Sequence, residues 1–444
     1  MEKYFLPKRK LTSFQIISFG FLGVIFLGAF LLMLPFSSLQ NRVTPFLDAL
    51  FTSTSAVCVT GLVVYDTAVY WSAFGQLVIM LLIQIGGMGV ITVAAAFATV
   101  SGQKISLMQR STMQEAIAAP TVGGIVRLTG FIIKTTLVME LLGAAAMAPV
   151  FCRDFGKKGL WMALFHSVSA FCNAGFDLLG SRGAFSSLIS YVGEPIINVT
   201  VMLLIVVGGI GFLTWDDVRS NGLHFRRYRM QSKIILCTTA LLLAVPALYF
   251  FFFELAALPV KERILASLFQ SVTPRTAGFC TVDLTSFTEA GVAIVMALML
   301  IGGSPGSTAG GMKTTTLAVL AATAVSTFRR QKSPHFFGRR IDDSVAKSAA
   351  AILMLYLTLF FFGGLFISIA EGLPVLPCLF EAASALGTVG LSLGCTAKLG
   401  TLSKSVLIAL MFCGRVGGLT LIFAMLSGTQ KSMASYPRAK VIVG

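Results

Sequence analysis

A short apolar run that ends in a glycine turn occurs four times in this chain. The first copy runs from Phe51 through Ser53, Ser55, Ala56 and Cys58 to Gly61. Phe165 to Gly175 repeats it, with Phe, Ser, Ala, Cys and Gly at one common offset. Phe380 to Gly390 repeats Phe, Ser, Ala and Gly, and Phe269 to Gly278 is a looser copy, one residue shorter. The spacing is of the order of a hundred residues, far longer than a solenoid unit of 20–50. It predicts four quasi-equivalent modules around one axis.

Composition says where those modules sit. Of the 444 residues, 56% are hydrophobic and 12% charged, against roughly a quarter charged in a soluble domain. Apolar runs of about 20 residues, enough to span lipid, recur along the whole length. The formal charge of +16 raises the question of nucleic acid. The basic residues, however, fall in short links between apolar spans, as positive-inside topology requires, and no nucleic-acid partner is expected. The eight cysteines show neither zinc-ligand spacing nor a disulfide framework. Cys58 and Cys172, at equivalent repeat positions, read as small buried packing residues rather than pore lining.

Taken in order, basic Met1–Lys10 precedes an apolar helix over Phe14–Phe36, read as retained, with its N-terminus inside. Thr44–Leu62 has too short an apolar part to cross and reads as a re-entrant half-helix, and Tyr70–Val100 then crosses back. The second module has spans at Leu128–Phe151 and Glu194–Trp215 around the short run Trp161–Gly175. The third has Ile234–Leu255, Ile264–Gly278 and a long segment from Phe287 to Phe328. The fourth has Ala346–Ile369, Leu373–Gly390 and Leu402–Leu426. Basic links (Lys104 and Arg110; Arg219 to Lys233; Arg329 to Lys347) and a basic tail (Lys431, Arg438, Lys440) lie on one side, and Asp66, Asp177 and Asp283 on the other. The expected class is an all-α polytopic membrane protein: four repeats of helix, pore half-helix, filter turn and helix around a central pore. The expected divisions are residues 1–100, 101–222, 223–335 with an intramembrane loop, 336–428, and a cytoplasmic tail 429–444, giving eight crossings with both termini cytoplasmic.

Four half-helices ending at glycine turns about one axis make a ring of backbone carbonyls, which can replace the hydration shell of a monovalent cation. The partial negative charge of a half-helix C-terminus favours the same ion. The candidate filter is Val59-Thr60-Gly61, Asn173-Ala174-Gly175, Thr276-Ala277-Gly278 and Thr388-Val389-Gly390. Beyond each turn a second glycine cluster follows. Gly86-Gly87-Met88-Gly89 and Gly208-Gly209-Ile210-Gly211 read as close helix packing. The third, Gly302-Gly303-Ser304-Pro305-Gly306-Ser307-Thr308-Ala309-Gly310-Gly311, cannot stay helical with Pro305 and so many glycines. A polar break in mid-membrane, under the filter, describes a gate. In the fourth cluster Arg415 stands where Gly87 and Gly303 align. A charge within a span faces a cavity or a partner; here it would repel cations or hold the loop by its carbonyls. Lys313 follows the loop and is placed nearer the cytoplasmic end. Glu140 and Glu254 read as interior hydrogen-bonding partners. Gly306 to Thr314 nearly matches a phosphate-binding loop, but Met312 stands where that motif needs lysine and no strand precedes it. The three histidines have no triad or ligand neighbours, so an enzyme is not expected.

Thr54-Ser-Ala-Val-Cys-Val-Thr-Gly-Leu62, Thr273-Pro-Arg-Thr-Ala-Gly-Phe279, Gly306-Ser-Thr-Ala-Gly-Gly311 and Gly414-Arg415-Val-Gly417, on the fourfold helix–pore-helix–helix plan, resemble the Trk/Ktr/HKT potassium transporter superfamily. Within it the pattern is similar to KtrB, the membrane subunit of bacterial Ktr systems, including the tail from Tyr436 to Gly444. The resemblance implies potassium uptake, with sodium as an activator. It makes Gly61, Gly175, Gly278 and Gly390 the filter glycines, and Gly302 to Gly311 with Arg415 the gate. It implies a homodimer in the bacterial plasma membrane, seated on a cytosolic, KtrA-like regulatory ring that binds ATP or ADP. Glycine at all four filter positions favours potassium over the serine-bearing sodium-selective relatives. Gly418 departs from the pattern, which has proline there in many relatives.

The leading expectation is passive, gated conduction down the ion's own gradient, worth about 2.3 kcal/mol per charge per 100 mV. The alternative is a sodium- or proton-coupled secondary transporter, whose folds show inverted repeats and helices broken at mid-membrane. Four repeats of one orientation argue against it, and the break after Gly302 argues for it.

Overall fold

A computed structural model describes residues 12–101, 105–119, 123–331, 333–418, 420 and 422. The basic residues Lys3, Lys8, Arg9, Lys10, Lys104 and Lys332 and the tail with Lys431, Arg438 and Lys440 lie outside the described residues.

Each repeat opens with a long outer helix: Ser13–Met33, Ile125–Phe155, Met230–Tyr249 (continued by a π turn to Glu254) and Asp343–Glu371. All four are long and apolar enough to cross a membrane. Each is followed by a short pore helix: Phe46–Val57, Lys158–Phe171, Val260–Val272 and Val375–Gly387. Pro45, Pro259 and Pro374 stand just ahead of three of these, where a fixed φ and a missing N–H start a helix without loss. The repeated phenylalanines, Phe51, Phe165, Phe269 and Phe380, are all fully buried. They are the reason the motif could be found: each anchors its pore helix inside the bundle while the outer helices turn apolar side chains such as Phe30, Leu141, Phe253 and Phe362 outward.

The inner helices depart from expectation. Tyr70–Val100 and Glu194–Trp215 are not single spans. Ala73–Met88 and Val90–Thr99 meet at 94°, and Pro195–Gly209 and Phe212–Asn221 at 96°. Gly89 and Gly211 sit at the breaks with φ of +87° and +95°, a backbone region open to glycine and strained for other residues. Gly417 repeats this with φ +91° at the end of Thr401–Val416. Packing is nonetheless what the preceding glycines do. A methyl group on Gly86, Gly208 or Gly414 would strike the carbonyl of Val57, Phe171 or Leu386, at the end of that repeat's own pore helix. In the third repeat the inner helix is Glu289–Leu300, then a non-helical segment, then Thr314–Phe328. The unbroken 16-residue pieces rise about 24 Å, less than the roughly 30 Å of hydrocarbon. In the first two repeats the chain thus turns sharply where the inner helix ends.

Candidate functional site

The four glycine turns share one backbone conformation. The first residue of each triplet is left-handed: φ is +56° at Val59, +59° at Asn173, +68° at Thr276 and +52° at Thr388. The glycines follow at +90°, +69°, +79° and +93° for Gly61, Gly175, Gly278 and Gly390. Three of the four leading residues are β-branched, for which this region costs about 1–3 kcal/mol each. The surroundings must impose it. Thr60 N donates to Ser55 O at 2.8 Å, Ala174 N to Ser169 O at 2.7 Å and Val389 N to Ser384 O at 2.8 Å, always five residues back. In the shortened third copy Ala277 N reaches only four back, to Thr273 O at 3.0 Å. Gly61 N and Gly390 N are further held by the hydroxyls of Ser55 and Ser384, at 3.1 and 3.0 Å. The repeated serine is therefore a fastener of the turn.

The turns close a ring in chain order. A methyl group on Gly61 would stand 2.6 Å from Ala174 O, and one on Gly175 would stand 2.7 Å from Ala277 O. One on Gly278 would strike Val389 O, and one on Gly390 would strike Thr60 O, returning to the start. Each glycine thus faces the carbonyl just before the next glycine, and no side chain fits between neighbours. Val59, Thr60, Asn173, Ala174, Thr276, Ala277, Thr388 and Val389 are all buried. All twelve candidate filter residues are brought together, at the C-terminal ends of four pore helices, each worth about half a negative charge.

Sequence reasoning missed the side chains that hold the segment after each turn. His166, directly after Phe165, is fully buried. Its Nε2 accepts from Leu178 N at 3.3 Å while Nδ1 lies 2.7 Å from Met162 O, so the proton sits on Nδ1. Glu381, directly after Phe380, is also fully buried and accepts from Ser392 Oγ (2.6 Å), Leu393 N (3.3 Å) and Thr396 Oγ1 (2.5 Å). The signal was available: both occupy one position of the repeat, next to the conserved-spacing phenylalanine. Glu140 and Glu254 are hydrogen-bonding partners, as expected. Gln84 Nε2 donates to Glu140 at 3.1 Å, and Thr288 N and Oγ1 donate to Glu254 at 3.0 and 2.6 Å.

Next to the ring lies a cavity of about 340 Å³, lined by all four glycines together with Asp66, Asp177, Asp283 and Lys398. The three acids expected on one side do converge there. Asp66 caps Ala68 N at 2.9 Å and receives Phe185 N at 2.9 Å, Asp283 receives Thr285 N at 2.9 Å, and Asp177 receives Leu179 N at 3.0 Å. Burial, reinforced by the neighbouring charge of Asp66, pushes the Asp177 carboxyl up to about 7.

On the opposite side of the ring is the segment Ile301–Lys313. Its neck is closed by Gly302 N to Met312 O at 2.8 Å and Thr314 N to Gly303 O at 3.0 Å. It is bonded directly to the second and fourth repeats. Ser304 N donates to Gly209 O (3.0 Å), Thr308 Oγ1 to Phe171 O (3.1 Å) and Gly311 N to Gly414 O (3.2 Å). Arg415 donates to Thr308 O and to Gly86 O, and at 3.1 Å to Gly87 O, tying the segment to the first repeat. A methyl group on Gly310 would strike the Thr388 side chain, so the loop reaches the filter residues themselves. Lys313 turns back into the loop: its Nζ donates to Ala309 O at 2.9 Å and Gly310 O at 3.3 Å.

Comparison with known proteins agrees with this architecture. The family described as TrkH, cation transport protein, matches residues 2–433. The chain is 38% identical to the potassium/sodium uptake protein NtpJ of Enterococcus hirae, covering 98% of each. It is 38% identical to the Ktr system potassium uptake protein B of Bacillus subtilis, over 98% of this chain and 97% of that one. The crystal structure of the potassium transporter TrkH from Vibrio parahaemolyticus superimposes with a TM-score of 0.74 at 20% identity, covering 96% of this chain and 87% of that one. The repeats, the ring and these similarities lead to one statement: the chain belongs to the TrkH family of cation transport proteins.

Proposed function

We propose that this protein is the ion-translocating membrane subunit of a Ktr-type system and takes up K⁺ through a gated, channel-like pore. The observation that carries the reading is the closed ring of glycine turns, each glycine against the next turn's carbonyl. Relatives named as potassium uptake proteins, matched over nearly their whole length, support K⁺ as the ion carried. The twelve residues of the turns act as the selectivity filter. Gly302 to Gly311 act as the gate, with Arg415 holding it seated. Residues 1–100, 101–222, 223–335 and 336–428 form the four pore repeats and 429–444 a cytoplasmic tail. The chain is multi-pass in a bacterial plasma membrane with both termini cytoplasmic. It works without catalysis, as a homodimer on a KtrA-like cytosolic ring that binds ATP or ADP, with Na⁺ as an activator.

A sodium- or proton-coupled carrier is the second reading, favoured by the helices broken at Gly89, Gly211 and Ile301. Rubidium flux into liposomes, with and without Gly61→Ser, separates the two. Conduction runs on the ion's own gradient and loses its potassium preference in the variant. Flux that requires a second ion's gradient and ignores the substitution overturns the pore.

A further inference from the structure

A second cavity, of about 330 Å³, shares no lining residue with the one beside the ring. It is lined by Arg127, Arg219, Arg229 and Asp216, with Ile125, Leu128, Phe131 and Leu213 as its apolar walls. The carboxylate in its lining is already engaged, and so is the one beside it: Arg229 lies 2.6 Å from Asp216 and 3.3 Å from Asp217. Among the described residues no carboxylate lies within ion-pair distance of Arg127 or Arg219. The Arg219 guanidinium is held 4.8 Å over the Phe131 ring, one helical turn from Arg127, so the two unpaired cations share one face. Three guanidinium groups against two carboxylates, both engaged by Arg229, leave a net positive hollow that an anion relieves. The fork of a guanidinium matches phosphate oxygens in particular.

Its depth suits a membrane headgroup. The outer helix that carries Arg127 has 31 residues and rises about 46 Å, well beyond a hydrocarbon core of roughly 30 Å. Its first turns therefore stand at the headgroup level, on the side that carries the basic links. Basic pockets between helices at this level take phospholipid headgroups.

The walls of this cavity both end on the intramembrane loop. One wall is Phe212–Asn221, where Phe212 N donates to Gly306 O at 2.7 Å and a methyl on Gly211 would stand 2.7 Å from Pro305 O. The other includes Ala119, just after the helix Leu107–Ile117; Ile117 O abuts Gly306 so closely that no side chain fits there.

We propose that the hollow formed by Arg127, Arg219 and Arg229 binds a phosphate group, and that its occupation holds the loop seated at Gly306. The binding part stands on its own; the effect on flux rests on the reading of Gly302 to Gly311 as a gate. A ligand favours the arrangement that forms its site, and this arrangement has the loop in place, so occupation slows uptake.

The test uses the full-length protein and the double variant Arg127→Gln/Arg219→Gln, with Arg339→Gln/Arg340→Gln as a charge-matched control. Rubidium uptake is read in phosphatidylcholine vesicles with and without phosphatidylglycerol. Binding is read separately in detergent, as the shift in melting temperature with phosphatidylglycerol or with inorganic phosphate. Phosphatidylglycerol is expected to slow uptake by about fivefold, at the low end of ordinary site coupling, and to raise the melting temperature. The control pair keeps both effects and the double variant loses both. A melting shift with the lipid alone assigns the site to a headgroup; an equal shift with inorganic phosphate assigns it to a free phosphate. The proposal is overturned if the double variant responds like the control pair, or if neither probe shifts the melting temperature. It is also overturned if the arginines matter only once a cytosolic regulatory protein is added, which makes the hollow a protein contact. A melting shift without any rubidium flux would sink the pore reading and leave the site intact.

Discussion

Lys404 Nζ lies 2.8 Å from Asp48 Oδ1, and the two are 356 residues apart. Lys404 is on the inner helix of the last repeat and Asp48 on the pore helix of the first. No covalent link joins these repeats, so the pair clasps the seam at which the ring closes. Tyr65 donates to the other carboxylate oxygen at 2.8 Å and stacks on Tyr70 at 4.0 Å. Both ions of the pair are largely buried, with exposures of 13% and 12%. Removing one partner leaves the other uncompensated, at about 3–5 kcal/mol for a fully buried pair. Lys404→Met is expected to lower the melting temperature sharply. Asp48→Asn combined with Lys404→Met is expected to recover most of the loss, because the orphaned charge is gone. Equal losses in the single and double variants would show that the pair does not clasp the seam.

Gly175→Ala is expected to abolish potassium-selective uptake without unfolding the protein. The added methyl would stand 2.7 Å from Ala277 O, on a residue with φ +69°, and it displaces a carbonyl of the ring. Rubidium flux beside a size-exclusion profile checks this. Gly130→Ala is the control, since nothing lies within 4 Å of its added methyl.

Arg415→Gln is expected to raise basal uptake roughly tenfold. The contact with Thr308 O is a hydrogen bond from a charged donor, worth about 1.5–3 kcal/mol, and a tenfold change corresponds to about 1.4 kcal/mol. Flux at fixed membrane potential is the readout; unchanged flux would show that the loop does not block the path.

Uptake is expected to weaken as external pH falls from 8 to 6. Asp177 titrates near 7, so it is charged at pH 8 and largely neutral at pH 6. Asp66, Asp283 and Lys398 are the other charged groups that line its cavity. Losing one negative charge beside the ring lowers the local cation concentration. The half-saturating K⁺ concentration should rise, and Asp177→Asn should remove the dependence. The same group acts on stability with the opposite sign. Its folded value lies above the unfolded one, so ionising it disfavours the folded state as pH rises from about 4 to 7.

Glu381→Gln is expected to reduce the discrimination between K⁺ and Na⁺ more than the total flux. The side chain touches no ion path directly and holds Ser392, Leu393 and Thr396 behind the turn at Gly390. Ion competition against rubidium flux measures it, and an unchanged ratio would confine Glu381 to a structural role.

What the bare sequence could reveal followed from repetition. The recurring Phe, Ser and Gly mark positions that four quasi-equivalent modules must solve in one way, and the one-residue shortening of the third copy shows in the structure as a hydrogen bond reaching four residues back instead of five. The bends at Gly89 and Gly211 were hidden because hydropathy runs on through them; the break lies in the positive φ of those two glycines, which a glycine cluster in an apolar run does not by itself announce. His166 and Glu381 were passed over because each repeat fills that position with a different residue type. The Asp48–Lys404 pair depends on which repeats become neighbours when the ring closes, and no local pattern records that.

The single Arg415 gains meaning from the chain being one polypeptide. Four identical subunits around an axis would repeat every feature four times. Four guanidinium groups beneath one cation path would repel each other and the ion, and four copies of Gly302 to Gly311 could not occupy the space that one fills. Joining the quarters end to end lets them evolve apart: the second and fourth supply carbonyls at Phe171, Gly209 and Gly414 on which the third repeat's segment is seated, and the first supplies Gly86 O to Arg415. On the reading of Gly302 to Gly311 as a gate, such an off-centre segment can be withdrawn on its own, whereas a symmetric constriction needs four parts to move together.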